Sequence, residues 1–125
     1  MIHLDTSFLI RALARGSAED RRLRAWLVDG TPLGISAVSW AEFLCGPVRE
    51  EDVRLAARVV HEPVAFGAHD SAATAKLFNM AGRRRGSFVD CMIAAVALRA
   101  GAALATGNPS DFRRLEPAGL KLIAP

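Results

Sequence analysis

Apolar residues in this chain fall into two patterns: short unbroken runs, and longer stretches in which they recur at every third or fourth position. Residues 2–4 read as a short buried strand, and Thr6 or Ser7 can cap a helix that runs to about residue 14 before Gly16 ends it. A second helix is predicted over 18–28. There Leu23, Trp26 and Leu27 share a face, Glu19, Asp20, Arg21, Arg22 and Arg24 lie elsewhere, and Asp29-Gly30 is the stop. Residues 33–35 read as a second strand, and Ser36 or Ser39 can cap a third helix through Ala41, Phe43 and Leu44, closed by Gly46-Pro47. The helical period returns over 49–60 and 68–81, with a short extended piece at 64–66 between them. Gly82 to Gly86 form a basic turn, and Ser87 can cap a helix through Asp90, Met92, Ile93 and Val96 that Gly101 ends. A buried strand at 102–105, a polar loop at 106–110 and a last strand at 120–123 complete the chain. Strands alternating with helices predict a three-layer α/β fold, a central parallel sheet flanked by helices, as one domain over residues 1–125.

Composition narrows the function classes. With 51% hydrophobic residues the chain can bury one substantial core. Its longest uncharged stretch, the 12 residues 30–41, falls short of the roughly 18 that a membrane span needs, so a cytoplasmic protein with no membrane partner is expected. Cys45 and Cys91 stand far apart without metal-ligand spacing and read as small buried hydrophobes. His3 reads as a half-buried strand residue, and Trp26 and Trp40 as core or interface residues. Of the 16 basic residues, 14 are arginine, whose planar fork suits phosphate. The clusters Arg21-Arg22-Leu23-Arg24, Arg83-Arg84-Arg85 and Arg113-Arg114 could follow a nucleic-acid backbone, though each alone could be a solvated face. Arg83, Arg84 and Arg85 are the RNA-contact candidates.

Most of the 13 acids sit in charged helices or turns, Glu19, Asp20 and Asp70 among them. Four do not. Asp5 ends the first strand at the mouth of the first helix, where an open parallel sheet has its ligand crevice. It could simply cap that helix, but a carboxylate among apolar neighbours is costly unless something positive compensates it. Glu42 and Asp90 are isolated acids on apolar helices, and Asp111 follows the strand ALAT by a polar loop. Singly, Glu42 could be a surface position and Asp90 a first-turn acid complementing the helix dipole. Together, four converging carboxylates must hold protons or cations. Oxygen-only ligands suit Mg²⁺ or Mn²⁺, and such an ion can activate a water and contact a phosphate oxygen, which points to phosphodiester hydrolysis.

The segments LDTS at the N-terminus, AE in the helix after the second strand, DCMIAA opening a late helix and TGNPSDF after a buried strand together resemble the PIN domain family, in particular the VapC-type toxins of toxin–antitoxin pairs. The resemblance spans the whole chain in the right order and implies a metal-dependent endoribonuclease toxin, acting on RNA and neutralised by a cognate VapB-type antitoxin. It implies Asp5 and Asp90 as principal metal ligands, with Glu42 and Asp111 completing a catalytic quartet, and Ser7, Thr106 and Asn108 orienting those acids from behind. It also implies a homodimer, and an antitoxin tail lying between the early helices, for which Leu9, Leu13, Leu23, Trp26 and Leu27 are the candidate contacts. The monomer's own core could bury that surface instead. Two other aspartate-based families fit less well: a haloacid-dehalogenase-like phosphatase needs a second acid where this chain has Ser7, and a receiver domain needs an acid pair near its phosphoacceptor. The alternative within the family is a catalytically inactive PIN-fold module that binds RNA or acts as a scaffold.

Overall fold

A computed structural model describes residues 1–124. Four parallel strands, β1 (Ile2–Leu4), β2 (Leu33–Gly34), β3 (Ala103–Ala105) and β4 (Leu122–Ile123), form a sheet in the order β2-β1-β3-β4. Six helices surround it: α1 (Thr6–Ala12), α2 (Ala18–Asp29), α3 (Ala37–Cys45), α4 (Glu50–Val60), α5 (Ala68–Met80) and α6 (Phe88–Arg99). Two 3-10 turns, Pro109–Asp111 and Arg113–Ala118, connect β3 to β4. Among the described residues no helix is long and apolar enough to cross a membrane.

The period of the strands sorts side chains into two cores. Ile2, Leu4 and Ala105 join Phe8, Leu9, Leu23, Phe43, Ala56 and Val60 on one face of the sheet, beneath α1, α2 and α4. Leu104 joins Leu77, Cys91, Ile93, Ala94 and Phe112 on the other, beneath α5 and α6. Burying each large apolar side chain contributes about 1.5–3 kcal/mol. His3 points opposite to its neighbours on β1. It is 1% exposed rather than half-buried, and neither ring nitrogen has a hydrogen-bond partner among the described residues. Burial, with the N-terminal ammonium and Arg99, pushes its pKa down, so the ring is held neutral. Gly34 on the adjoining strand makes room for it, since a Cβ there would lie 3.1 Å from the imidazole.

Several expectations are corrected. β1 has the expected bounds, but β2, β3 and β4 are shorter than the apolar runs, and the piece at 64–66 contributes only a bridge between Ser36 and Val64. Ser36, not Ser39, caps α3, accepting the Ser39 N–H at 3.0 Å. Cys45 is exposed at the end of α3, whereas Cys91 is buried. Glu19 and Asp20 are buried at the start of α2, where Asp20 accepts the Gly16 N–H and pairs with Arg24. Asp70 is also buried. It accepts the Gly67 N–H and meets Arg99 of α6 at 2.8 Å, fastening α5 to α6.

Candidate active site

Asp5 follows β1 directly and extends its pairing, donating its N–H to the Ala105 carbonyl at 3.0 Å. The chain turns there into α1, and Asp5 itself is the cap: its Oδ1 accepts from the Phe8 N–H and from Ser7 Oγ, each at 2.8 Å. Thr6 and Ser7 therefore do not cap the helix. An extended backbone at Asp5, directly after β1, sets the carboxylate against the free N–H groups of the first turn. The Thr6 hydroxyl, freed from that task, donates to the Ser39 carbonyl at 3.0 Å and to Glu42 Oε1 at 3.1 Å. It thus ties the exposed Glu42 of α3 to the same corner.

Asp90 lies half-buried in the first turn of α6, and Asp111 is exposed at the end of the first 3-10 turn. Their charges interact across four elements. Burial is the main cause that lifts the Asp90 pKa to about 6, reinforced by Asp111, Glu42 and Asp5 and opposed by Arg84. Burial also raises Asp5, against hydrogen bonding from Thr106, Phe8 and Ser7, and Asp111 adds to the rise. The four acids singled out in the sequence are thus brought to one end of the sheet.

Behind them is a continuous polar support. Ser7 Oγ, which donates to Asp5, accepts the Gly107 N–H at 3.0 Å and lies 3.4 Å from the hydroxyl of the fully buried Thr106. Thr106 Oγ1 accepts the Asn108 N–H at 3.0 Å. The Asn108 side chain accepts from Arg11 Nη2 at 3.0 Å. Thr6 and Arg11 were missed by sequence reasoning. A threonine beside LD and an arginine on an exposed helix face carry no local signal of a partner at residue 42 or 107.

The basic turn divides. Arg84 and Arg85 border a hollow of about 150 Å³ together with Ser87, Asp90 and Asp111. Arg83 instead lies over the Phe78 ring, 5.3 Å from its centroid, and donates to Asn79. Arg114, from the second 3-10 turn, reaches the adjoining hollow beside Asp90 and Asp111. On the far side of α1 a separate groove of about 150 Å³ is lined by Leu9, Leu13, Leu23 and Leu27, with Leu55 and Val59 of α4 as a further wall. Trp26 is outside that lining and stacks on Phe8 at 5.5 Å.

The donor set suits a hard divalent ion: carboxylate oxygens only, one of them costly to ionise without a cation nearby. Among the described residues no group of three His, Cys, Asp or Glu side chains stands arranged to hold an ion by itself. Mg²⁺ does not require one, because it keeps several waters and binds through one or two carboxylates.

Residues 2–116 match the PIN domain family, and the chain belongs to it. No curated protein sequence matches the chain. Solved structures similar to it include FitAcB from Neisseria gonorrhoeae, at 21% identity and a TM-score of 0.72 over 98% of this chain and 96% of that one. VapBC2 from Rickettsia felis, bound to a DNA fragment from the promoter, gives 20% identity and a TM-score of 0.74 over 99% and 98%. DNA-bound VapBC from Salmonella typhimurium gives 18% and 0.72 over 98% and 96%. At such identities the likeness is one of fold.

Proposed function

We propose that this PIN domain is a Mg²⁺- or Mn²⁺-dependent endoribonuclease toxin held inactive by a cognate VapB-type antitoxin. The observation that carries the proposal is the electrostatic convergence of Asp5, Glu42, Asp90 and Asp111, with Asp90 raised to about 6 by burial and by the other acids. Asp5 and Asp90 would hold the ion, and Glu42 and Asp111 would complete its surroundings directly or through water. A bound divalent ion supplies an activated water and a Lewis acid for the phosphate. The chain's own residues do the remainder. Ser7 and Thr106 keep Asp5 oriented, Thr6 restrains Glu42, and Arg84, Arg85 and Arg114 draw the RNA backbone toward the acids.

The groove along α1, α2 and α4 supports the antitoxin assignment, because it is apolar and lies on the other face of the helix that carries Ser7. The FitAcB and VapBC structures of similar fold fit the same assignment. For a second copy we assign the wide apolar trough beside Glu42, lined by Val38, Ala41, Phe66, Val89 and Met92. A light-scattering mass of one chain would remove that assignment.

The test is cleavage of RNA by the metal-stripped protein. Mn²⁺ or Mg²⁺ should restore activity, EDTA should abolish it, and Asp5→Asn and Asp90→Asn should each lack it. RNA binding without metal-dependent cleavage by the wild type would favour the inactive binding module. Cleavage that survives EDTA and Asp90→Asn would place the chemistry elsewhere.

A further inference from the structure

Arg11 is exposed on α1 and has no part in the chemistry described above. Its guanidinium nevertheless bridges two elements. Nη1 donates to the Gly107 carbonyl at 2.6 Å, and Nη2 donates to Asn108 Oδ1 at 3.0 Å. The fork fits because residue 107 has no side chain: a Cβ there would lie 2.8 Å from Nη1 and 3.0 Å from Cζ of Arg11. Ser7, one helical turn earlier, accepts the N–H of the same Gly107 at 3.0 Å. Helix α1 therefore holds Gly107 at both its N–H and its C=O. Asn108 passes the restraint on, since its backbone carbonyl accepts the Asp111 N–H at 3.1 Å. Asp111 is exposed, so this turn, together with the buried Phe112 that follows, sets its position.

We infer that Arg11 is a positioning residue of the acidic site: through Gly107 and Asn108 it holds the turn that carries Asp111 in place to share a divalent ion with Asp5 and Asp90. The inference rests on the metal-dependent function proposed above. Two planar donors are needed to take a carbonyl and an amide oxygen at once, which a lysine ammonium does not supply in a fixed fork. Arg11 would act here as a strut, whereas Arg84 is the cation that lowers the Asp90 pKa.

The test compares Arg11→Gln, Arg11→Lys and Gly107→Ala with the wild type as full-length proteins. Thermal melting reports the fold, amide hydrogen exchange at Asn108 and Asp111 reports the turn, and calorimetry with Mn²⁺ reports the site. Cleavage of a random-sequence fluorophore–quencher RNA separates kcat from KM. Gly107→Ala displaces the guanidinium without removing its charge, and Arg11→Gln covers the case in which Gly107→Ala does not fold. Arg11→Gln and Gly107→Ala are both expected to speed exchange at Asp111, weaken Mn²⁺ binding about 10-fold and lower kcat by a similar factor, with KM within about twofold. Arg11→Lys should recover only part of the loss. A raised KM in Arg11→Gln alone, with exchange and Mn²⁺ affinity unchanged, would make Arg11 a charge contact for RNA and overturn the inference. Unchanged exchange in both folded variants would overturn it too. If the wild type itself neither binds Mn²⁺ nor cuts RNA, the metal reading fails, and the exchange data still decide whether Arg11 holds the turn.

Discussion

Asp5 combines two demands that usually fall on different residues. As a cap it accepts from Phe8 and Ser7, which favours its charged form, and in the metal-binding role proposed for it, it must tolerate burial beside other acids until an ion arrives. The strain shows in the pKa directions, and their sign makes a prediction. Asp5 and Asp90 have raised pKa values, so the folded protein binds their protons more tightly than the unfolded chain. Without metal, the Asp90 contribution favours folding below about pH 4 and is lost as pH rises through about 6, and Asp5 acts in the same direction. His3 works the opposite way, because its lowered pKa costs stability as pH falls below its ordinary 6.5. The variant Asp90→Asn separates the two, keeping His3 and removing the acid. In EDTA at pH 7 it should melt above the wild type, by about 1–2 kcal/mol after screening of a half-buried group, and the advantage should vanish toward pH 4. Mn²⁺ should reverse the order by stabilising the wild type more. A metal-free wild type that gains stability on Asp90→Asn at pH 4 and not at pH 7 would contradict this. Asp5, Glu42 and Asp90 stood out in the sequence because each was an isolated acid among apolar neighbours, and Asp111 because a polar loop carries it from a buried strand. Asp70 did not, since it lies near His69 and a helix start like any surface acid, and its partner Arg99 is 29 residues away. Asp70→Ala removes both that pair and the Gly67 cap, so a loss of about 2–3 kcal/mol is expected in urea unfolding.

Helix α1 shows how a short element can serve two faces. Ser7 and Arg11 turn toward Gly107, while Leu9, with Leu13 just past its end, lines the groove assigned above to the antitoxin. Helix ends were readable where caps and glycines mark them, as at Ser36, which caps α3, and Gly30, in the left-handed conformation that ends α2. What the periodicity could not supply was pairing between distant elements. Nothing in residues 50–60 announces that Leu55 and Val59 wall a groove with α1 and α2, and the amphipathic face of α2 alone made Trp26 look like a contact residue. Its stacking on Phe8 makes it part of the monomer's packing. Variants should therefore be chosen from the exposed lining, Leu27 at 49% and Leu55 at 53% exposure, which can be changed with little cost to the fold. Leu27→Ser with Leu55→Ser is expected to keep the melting temperature and cleavage of the free toxin while weakening antitoxin affinity by at least about 10-fold, roughly 1.4 kcal/mol. Affinity unchanged in the folded double variant would place the partner on another face.

At the scale of the whole molecule, charge is arranged more sharply than the net value of +3 conveys. The acids gather at one end of the sheet, and the arginines beside them come from two separate segments, the turn carrying Arg84 and Arg85 and the 3-10 turn carrying Arg114. Sequence order hides this, because Arg83 looks equivalent to its two neighbours until the backbone of the turn, with a φ of 54° at Arg83, sends its side chain onto Phe78. An RNA backbone crossing the acids on the arginine side would meet cations at the phosphates flanking the one attacked, leaving the apolar trough beside Glu42 free for another surface. Removal of such a contact weakens binding and its salt dependence without altering the chemical step. Arg84→Gln and Arg114→Gln should each raise KM several-fold and reduce the slope of log affinity against log salt by about 0.7, the increment for one single-strand phosphate contact. Arg83→Gln should change neither, since its guanidinium is already engaged by Phe78 and Asn79. Equal losses for all three variants would mean that the cluster acts as a diffuse positive surface, with no defined path for the backbone beside Asp90 and Asp111.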